Sequence, residues 1–325
     1  MLVYLIRRLG QSLLVIAVMA CLVFVAVYAL GDPIDILANP NADQQERAAI
    51  ARTLGLDRPL YEQFGVFLLN AAKGDLGRSF VYNTSAVDVI LQRLPATAEL
   101  ALVGLLFSIL IGVPLGVLAG LKPESLAGKS IMSGSILGFS LPNFWIGLML
   151  ILIFAVELKW LPASGRGATV DVLGVPFAFL TLDGWRHLLL PALTLALFKA
   201  SLVTRIAQAG TREVMLQDYI RFARAKGLSR SRIVGVHVLK NILIPVVTVL
   251  GLELGSMIAF AVVTETVFAY PGMGKLLIDS INRLDRPIVV AYLMITVLIF
   301  VLINLAVDLL YAAIDPRVRL SEAKG

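Results

Sequence analysis

Cysteine is almost missing from this chain of 325 residues: Cys21 stands alone inside an apolar run, so no intrachain disulfide can form. Histidine is nearly as scarce, and His187 and His237 by themselves argue against a histidine-based metal site. Charged residues make up 15%, against roughly a quarter in soluble domains, which sets the chain apart from that class. Phosphate-loop chemistry is lacking too. GMGKLL at 272–277 has neither the earlier glycine nor the Ser or Thr after Lys275 that a Walker A loop needs. No nucleophile with a plausible base and no cluster of metal ligands is found, so no enzymatic activity is expected. Energy for any transport would have to come from an ion gradient or from another polypeptide.

What the chain has in quantity is apolar sequence: 58% hydrophobic residues and a mean hydropathy of +0.88. A helix needs roughly 20 mostly apolar residues to cross a bilayer. Six runs meet that length, at 9–30, 96–121, 130–157, 185–208, 242–268 and 287–313. Arg7 and Arg8 before the first run resemble a signal peptide, but no A-x-A site comes after it, so an uncleaved first span is expected. Six spans put both termini on one side. The N-terminus, 122–129, 205–241 and 314–325 hold more than half of the 28 Lys and Arg and under a quarter of the 22 acids. By the positive-inside rule these pieces are cytoplasmic, which predicts an all-α membrane protein, N-in and C-in. Its parts are an arginine flank with span 1 (1–30), an outer helical segment (31–95), a transmembrane core (96–313) with a cytoplasmic region at 209–241, and a tail (314–325).

The outer segment carries helix signals. Asp43 with Glu46 precedes AAIARTL, Pro59 opens PLYEQFGVFLLNAAK, Gly74 closes it, and Ser85 precedes AVDVILQRL. A segment of this size is expected to meet a partner. Within the spans, Gly112, Gly116 and Gly120, then Gly134 and Gly138, then Gly251 and Gly255 form small-residue stripes that let helices approach closely. Pro114, Pro142 and Pro191 predict kinks. Ionisable groups near the membrane are functional candidates by default. Lys199 is expected to snorkel to the cytoplasmic interface, and Glu99 and Asp308 to be solvated at span ends. Glu265, just before PGMG, reads as a pore-mouth or loop-bracing residue. Glu253 is the one near mid-membrane, with pathway contact and helix–helix hydrogen bonding both open. Asn143, Glu253 and Glu265 are the candidate pathway residues. Glu253 also admits the alternative of a gradient-driven secondary carrier.

One stretch interrupts the greasy pattern. TREVMLQDYIRFARAK, from Thr211 to Lys226, has helical periodicity, with Met215, Leu216, Tyr219, Ile220, Phe222 and Ala223 on one face. Gln217, Asp218, Arg221 and Arg224 fall largely on the other, Gly227 supplies a left-handed stop, and Ser229 caps the next helix. Spans close on both sides leave a duplex no approach, so the basic charge does not indicate nucleic acid. A loop needed only for orientation, lying against anionic lipid, would require none of these caps. A short amphipathic helix gripped by a cytoplasmic partner does.

AGTREVMLQDYIRFARAKGLSRSRIVGVHVLKNILIP resembles the cytoplasmic signature of ABC importer permeases of the peptide/nickel subfamily. MLVYLIRRLGQ, LGLDRPLYEQF, GDLGRSF, RLPATAELAL, LPNFWIGLML, TETVFAYPGMGKLL and DPRVR resemble the B-type permease of that subfamily along nearly the whole chain. The general importer signature has Glu-Ala-Ala where this chain has Arg221, Phe222 and Ala223, which matches the subfamily's own version. The resemblance implies a type I importer permease fold in the bacterial inner membrane, forming half of a translocation pathway. It implies a homologous second permease, two cytoplasmic ATPases that bind ATP and Mg, and a periplasmic binding protein, with no cofactor in this chain. Met215, Asp218, Tyr219, Arg221, Phe222, Ala223, Arg224, Ala225 and Gly227 would be the ATPase-coupling residues, the apolar ones filling a groove and the basic ones its rim. Substrates implied are di- and oligopeptides, with nickel chelates, glutathione, opines and sugars also in the subfamily's range.

Overall fold

The computed structural model describes residues 2–29, 43–54 and 57–314. Part of the expected outer segment and the tail from 315 therefore lie outside the described residues. The chain divides into two units, one of 1–94 with 275–305 and one of 95–274 with 306–325. The division falls inside helices, at Pro95, at Lys275 and within the last apolar stretch at Ala306.

In the first unit, α1 (Leu2–Ala29) carries the first apolar run, and α2 (Gln44–Leu54) begins where Glu46 N donates to Asp43 Oδ1 at 2.7 Å. Pro59 precedes α3 (Leu60–Ala72), and Gly74 beyond it has φ +80°, so the proline start and glycine stop hold. α1 and α3 meet through Phe24, whose ring lies 5.1 Å from Phe64 and 5.9 Å from Phe67. The GDLGRSF stretch is a tight loop built around Asp285. That buried carboxylate accepts from Ser79 Oγ and from the backbone N–H groups of Phe80 and Val81. Asp285 leads into α11 (Arg286–Ile314), following α10 (Met273–Asn282).

α4 (Ala86–Leu121) is one 36-residue helix that continues through Pro95 and Pro114, where a shorter helix leading into span two was expected. In the second unit it packs on α7 (Leu182–Met215) along the glycine stripe. A Cβ on Gly116 would fall 2.5 Å from Ala207 Cβ, and one on Gly120 2.6 Å from Thr211 Cβ. The stripe on span two is thus consumed within this chain. Gly116→Val should cost about 1–3 kcal/mol by overpacking, seen as a lower thermal midpoint in detergent. An unchanged midpoint would mean that α4 does not press on α7.

The expected third span is not one helix. α5 (Leu126–Ser140) and α6 (Asn143–Glu157, ending in a π-helical stretch from Ile151) meet at a bend of 106°. The cause is local: the residue before a proline is driven out of the α region, and Leu141, before Pro142, sits at φ −83°, ψ 134°. Five helices among the described residues are long and apolar enough to cross a membrane, and the bent pair makes a sixth if it is one span. A two-stranded hairpin, β1 (Val170–Val172) with β2 (Val175–Phe177), precedes α7. After α8 (Asp218–Ala225) comes α9, the long helix Arg230–Val267, which has a π-helical stretch at Ile233–Val238.

Candidate functional site

The periodicity of 211–226 predicts one helix, and the structure breaks it. α7 ends at Met215, the N–H groups of Leu216 and Gln217 turn back to the carbonyls of Glu213 and Val214, and Gln217 is extended at ψ 146°. α8 then starts afresh with Asp218 in its first turn and Arg224 in its last, each suited to the dipole end it occupies. The predicted apolar face is thereby divided. Ile220 and Ala223 point inward and join Val113, Val117, Val203, Val214, Ile233 and Ile242 in one core. Phe222 at 64% exposed and Leu216 at 71% point outward, with Tyr219 also exposed and Met215 half-buried. Ala223, at 6%, is therefore a residue of the chain's own core.

The polar residues of α8 form the exposed surround. Asp218 and Arg221 make a surface ion pair at 3.3 Å, Ala225 is exposed, and Lys226 lies 4.9 Å over the Phe222 ring. Arg224 reaches Met215 Sδ at 3.9 Å. Asn241 Nδ2 donates to His237 O at 2.6 Å and to Tyr219 Oη at 3.3 Å, fixing Tyr219 against the start of α9. Gly227, at φ +77°, closes the helix as expected: Leu228 N donates to Ala223 O and Gly227 N to Arg224 O, a Schellman cap. Nothing lies within 4 Å of a Cβ at Gly227, so Gly227→Ala costs only backbone strain, about 1 kcal/mol. Faster hydrogen exchange confined to α8 would register it, and Gly227→Asn should recover part of the loss.

Of the ionisable candidates near the membrane, Lys199 and Glu99 lie elsewhere than expected. Lys199 does not run to an interface: its Nζ bonds the carboxylate of Glu253, and Ser256 Oγ at 3.1 Å, joining α7 to α9. Glu253 is consequently half of an ion pair and not an isolated acid. Sequence distance hides the partnership, since residues far apart on two helices carry no shared periodicity. Asn143 is the first residue of α6, and its Oδ1 is buried with no donor among the described residues.

Glu265 has no accessible surface in this chain. It accepts from Thr97 Oγ1 at 2.6 Å, that hydroxyl accepts from Met273 N at 2.8 Å, and the Glu265 carboxylate occupies the place a Cβ on Gly272 would take. Of its two sequence readings, this geometry is that of a brace for PGMG. Glu99 is not solvated. Its side chain, 1% exposed, pairs with Arg166 at 2.8 Å and accepts from Phe179 N, while Arg166 also donates to Pro176 O at 2.7 Å. Tyr270 is buried beside this pair. Burial above all, and then the Glu99 carboxylate, push its hydroxyl well above the ordinary phenol range, so it remains neutral. No signal in the sequence marks Arg166, which lies in a polar loop like any other.

The fold, a helical membrane unit with a short amphipathic helix held outside the spans, is that of an importer permease. The chain belongs to the binding-protein-dependent transport system inner membrane component family, matched over 112–320, and its 1–101 match the N-terminal membrane component of the same systems. It is 39% identical to the di/tripeptide transport system permease protein DppB of Pseudomonas aeruginosa (strain UCBPP-PA14), over 98% of this chain and 99% of that one. It is 38% identical to the glutathione transport system permease protein GsiC of Escherichia coli (strain K12), with the same coverage. A chain of the MetNI methionine ABC transporter, solved in inward-facing form, shares the fold at a TM-score of 0.52 and 16% identity, covering 70% of this chain and 96% of that one. The chain is thus an inner-membrane permease subunit of a binding-protein-dependent ABC importer, whose family implies ATPase and binding-protein partners.

Proposed function

We propose that this chain forms half of the pathway of a peptide-class importer, paired with a homologous second permease and driven by two ATPases through α8. Both termini, 122–129 and the α8 region are cytoplasmic, as their Lys and Arg excess requires. The outer segment within 31–95 faces the binding protein. ATP and Mg belong to the ATPases, and this chain holds no cofactor. A peptide or peptide-like solute, glutathione included, is the substrate class, in line with what the relatives' names say of them.

One observation supports the coupling role above the others. α8 presents Tyr219 and Phe222 outward, with Leu216 exposed in the turn just before it, while Ile220 and Ala223 are locked into a core shared with α4, α7 and α9. A partner that grips the outer side chains therefore pulls on the spanning helices with no compliant loop between. Asp218, Arg221, Arg224 and Ala225 rim that contact, and Met215 and Gly227 set its ends. Glu253 contributes to the pathway through its pair with Lys199. Asn143 stands at the entrance to α6, and Glu265 shapes the pathway's edge only indirectly, by holding PGMG.

The test is uptake in right-side-out vesicles or proteoliposomes loaded with ATP, carrying this chain with its neighbouring permease and ATPases and given the binding protein outside. Uptake of peptide should require ATP and the binding protein and should survive an uncoupler. Uptake that tracks a proton gradient without ATP would establish the secondary carrier instead.

A further inference from the structure

Halfway along two spanning helices, two opposite charges meet with binding capacity to spare. Lys199 stands at the middle of α7, and Glu253 lies within the apolar part of α9. Both side-chain bonds to the carboxylate fall on Glu253 Oε2, which accepts from Lys199 Nζ and, at 2.7 Å, from Ser256 Oγ. Oε1 accepts nothing among the described residues. Of the three N–H groups on Nζ one goes to Oε2 and one to Ser256 Oγ at 3.1 Å, so one is left over. The Phe198 ring, 5.4 Å from Nζ, covers the apolar flank of the ammonium.

The pair is also not closed off. Its side chains are 14% and 29% exposed, whereas the Glu99 carboxylate in the outer ion pair is 1% exposed. Hydrocarbon is a poor neighbour for partly exposed charges at mid-helix, and such groups face a water-filled path or another polar surface.

We propose that Lys199, Glu253 and Ser256 form a ligand subsite within the translocation pathway, one that takes a zwitterion. The ligand's ammonium goes to Glu253 and its carboxylate to Lys199. This deepens, and rests on, the reading of the chain as a peptide-class permease. Charge balance selects the zwitterion. When the Lys–Glu pair opens around such a ligand, two new pairs replace one and no charge is stranded. A simple anion would leave Glu253 uncompensated and a simple cation would leave Lys199 so, and an uncompensated charge away from water is strongly disfavoured. In the absence of ligand the two side chains satisfy each other and keep free ions from lodging there.

The full importer, expressed with its ATPases, second permease and binding protein, tests this with trialanine as probe. Lys199→Met combined with Glu253→Met removes both charges without stranding either. Lys199→Glu combined with Glu253→Lys restores an ion pair with its ends exchanged. Trialanine uptake should fall about tenfold or more in the Met–Met variant, the scale of one lost charge-assisted contact. Membrane level and ATPase binding should not change, and the exchanged pair should remain below wild type. Wild-type uptake in either variant overturns the subsite, since a pair that merely joins α7 to α9 would be satisfied by both. Wild-type importer that takes up no trialanine removes the peptide reading and the subsite with it. Independently, Ser256→Cys in a Cys21→Ala background should react with a membrane-impermeant methanethiosulfonate, more slowly when trialanine is present. A thiol at 256 that water-borne reagent never reaches refutes the pathway placement.

Discussion

Phe222→Glu should abolish ATP-driven uptake while leaving the protein folded and inserted in the membrane. The side chain is 64% exposed and takes no part in the core beneath it, so the substitution has little to disrupt in the free subunit. In the assembled importer it would place a carboxylate where an aromatic anchor belongs. Truncation of such an anchor typically costs about 2 kcal/mol or more, roughly a 30-fold loss of affinity, and a buried charge costs further. ATPase subunits should fail to co-purify. Ala223→Glu is the less informative variant even though it lies one residue away. Ala223 is buried in the core cluster that also holds Val214, Ile220 and Ile242, so a glutamate there would unfold the α8 packing before any partner was involved. Retention of both uptake and ATPase binding in Phe222→Glu would remove α8 as the coupling element.

Glu99→Gln should destabilise the subunit strongly. The substitution keeps shape and removes charge, stranding Arg166, whose side chain is 11% exposed, beside the buried Tyr270. Breaking one partner of a buried pair costs about 3–5 kcal/mol. Thermal unfolding in detergent is the measurement. Replacing both members, Glu99→Leu with Arg166→Met, should recover much of the loss, because the penalty comes from the stranded charge. A midpoint for Glu99→Gln equal to wild type would show that the pair is not closed to water.

Much of this architecture was legible in the sequence because it rests on local signals. Apolar run length located the spans, Asp43 and Ser229 marked helix starts, and Gly74 and Gly227 marked stops, since each depends only on residues within a turn or two. The failures share a cause as well. Leu141 breaks the third span because of the proline after it; a kink was expected at Pro142, but within one continuous span. Periodicity joined 211–226 into one helix because the break at Leu216 and Gln217 lacks any glycine or proline. Tertiary packing, not propensity, ends α7 there. Lys199, Glu99 and Arg166 were misjudged or overlooked because ion pairs between distant segments have no sequence period to announce them.

The two faces of α8 have separate obligations. Tyr219 and Phe222, with Leu216 in the turn before them, look outward and hold little of the fold together, while Ile220 and Ala223 hold it and are hidden from any visitor. Exchanging the outward three for those of another importer should therefore leave the subunit intact. On the proposed coupling role of α8, a permease built this way is free to change the motor that drives it without relearning how to fold.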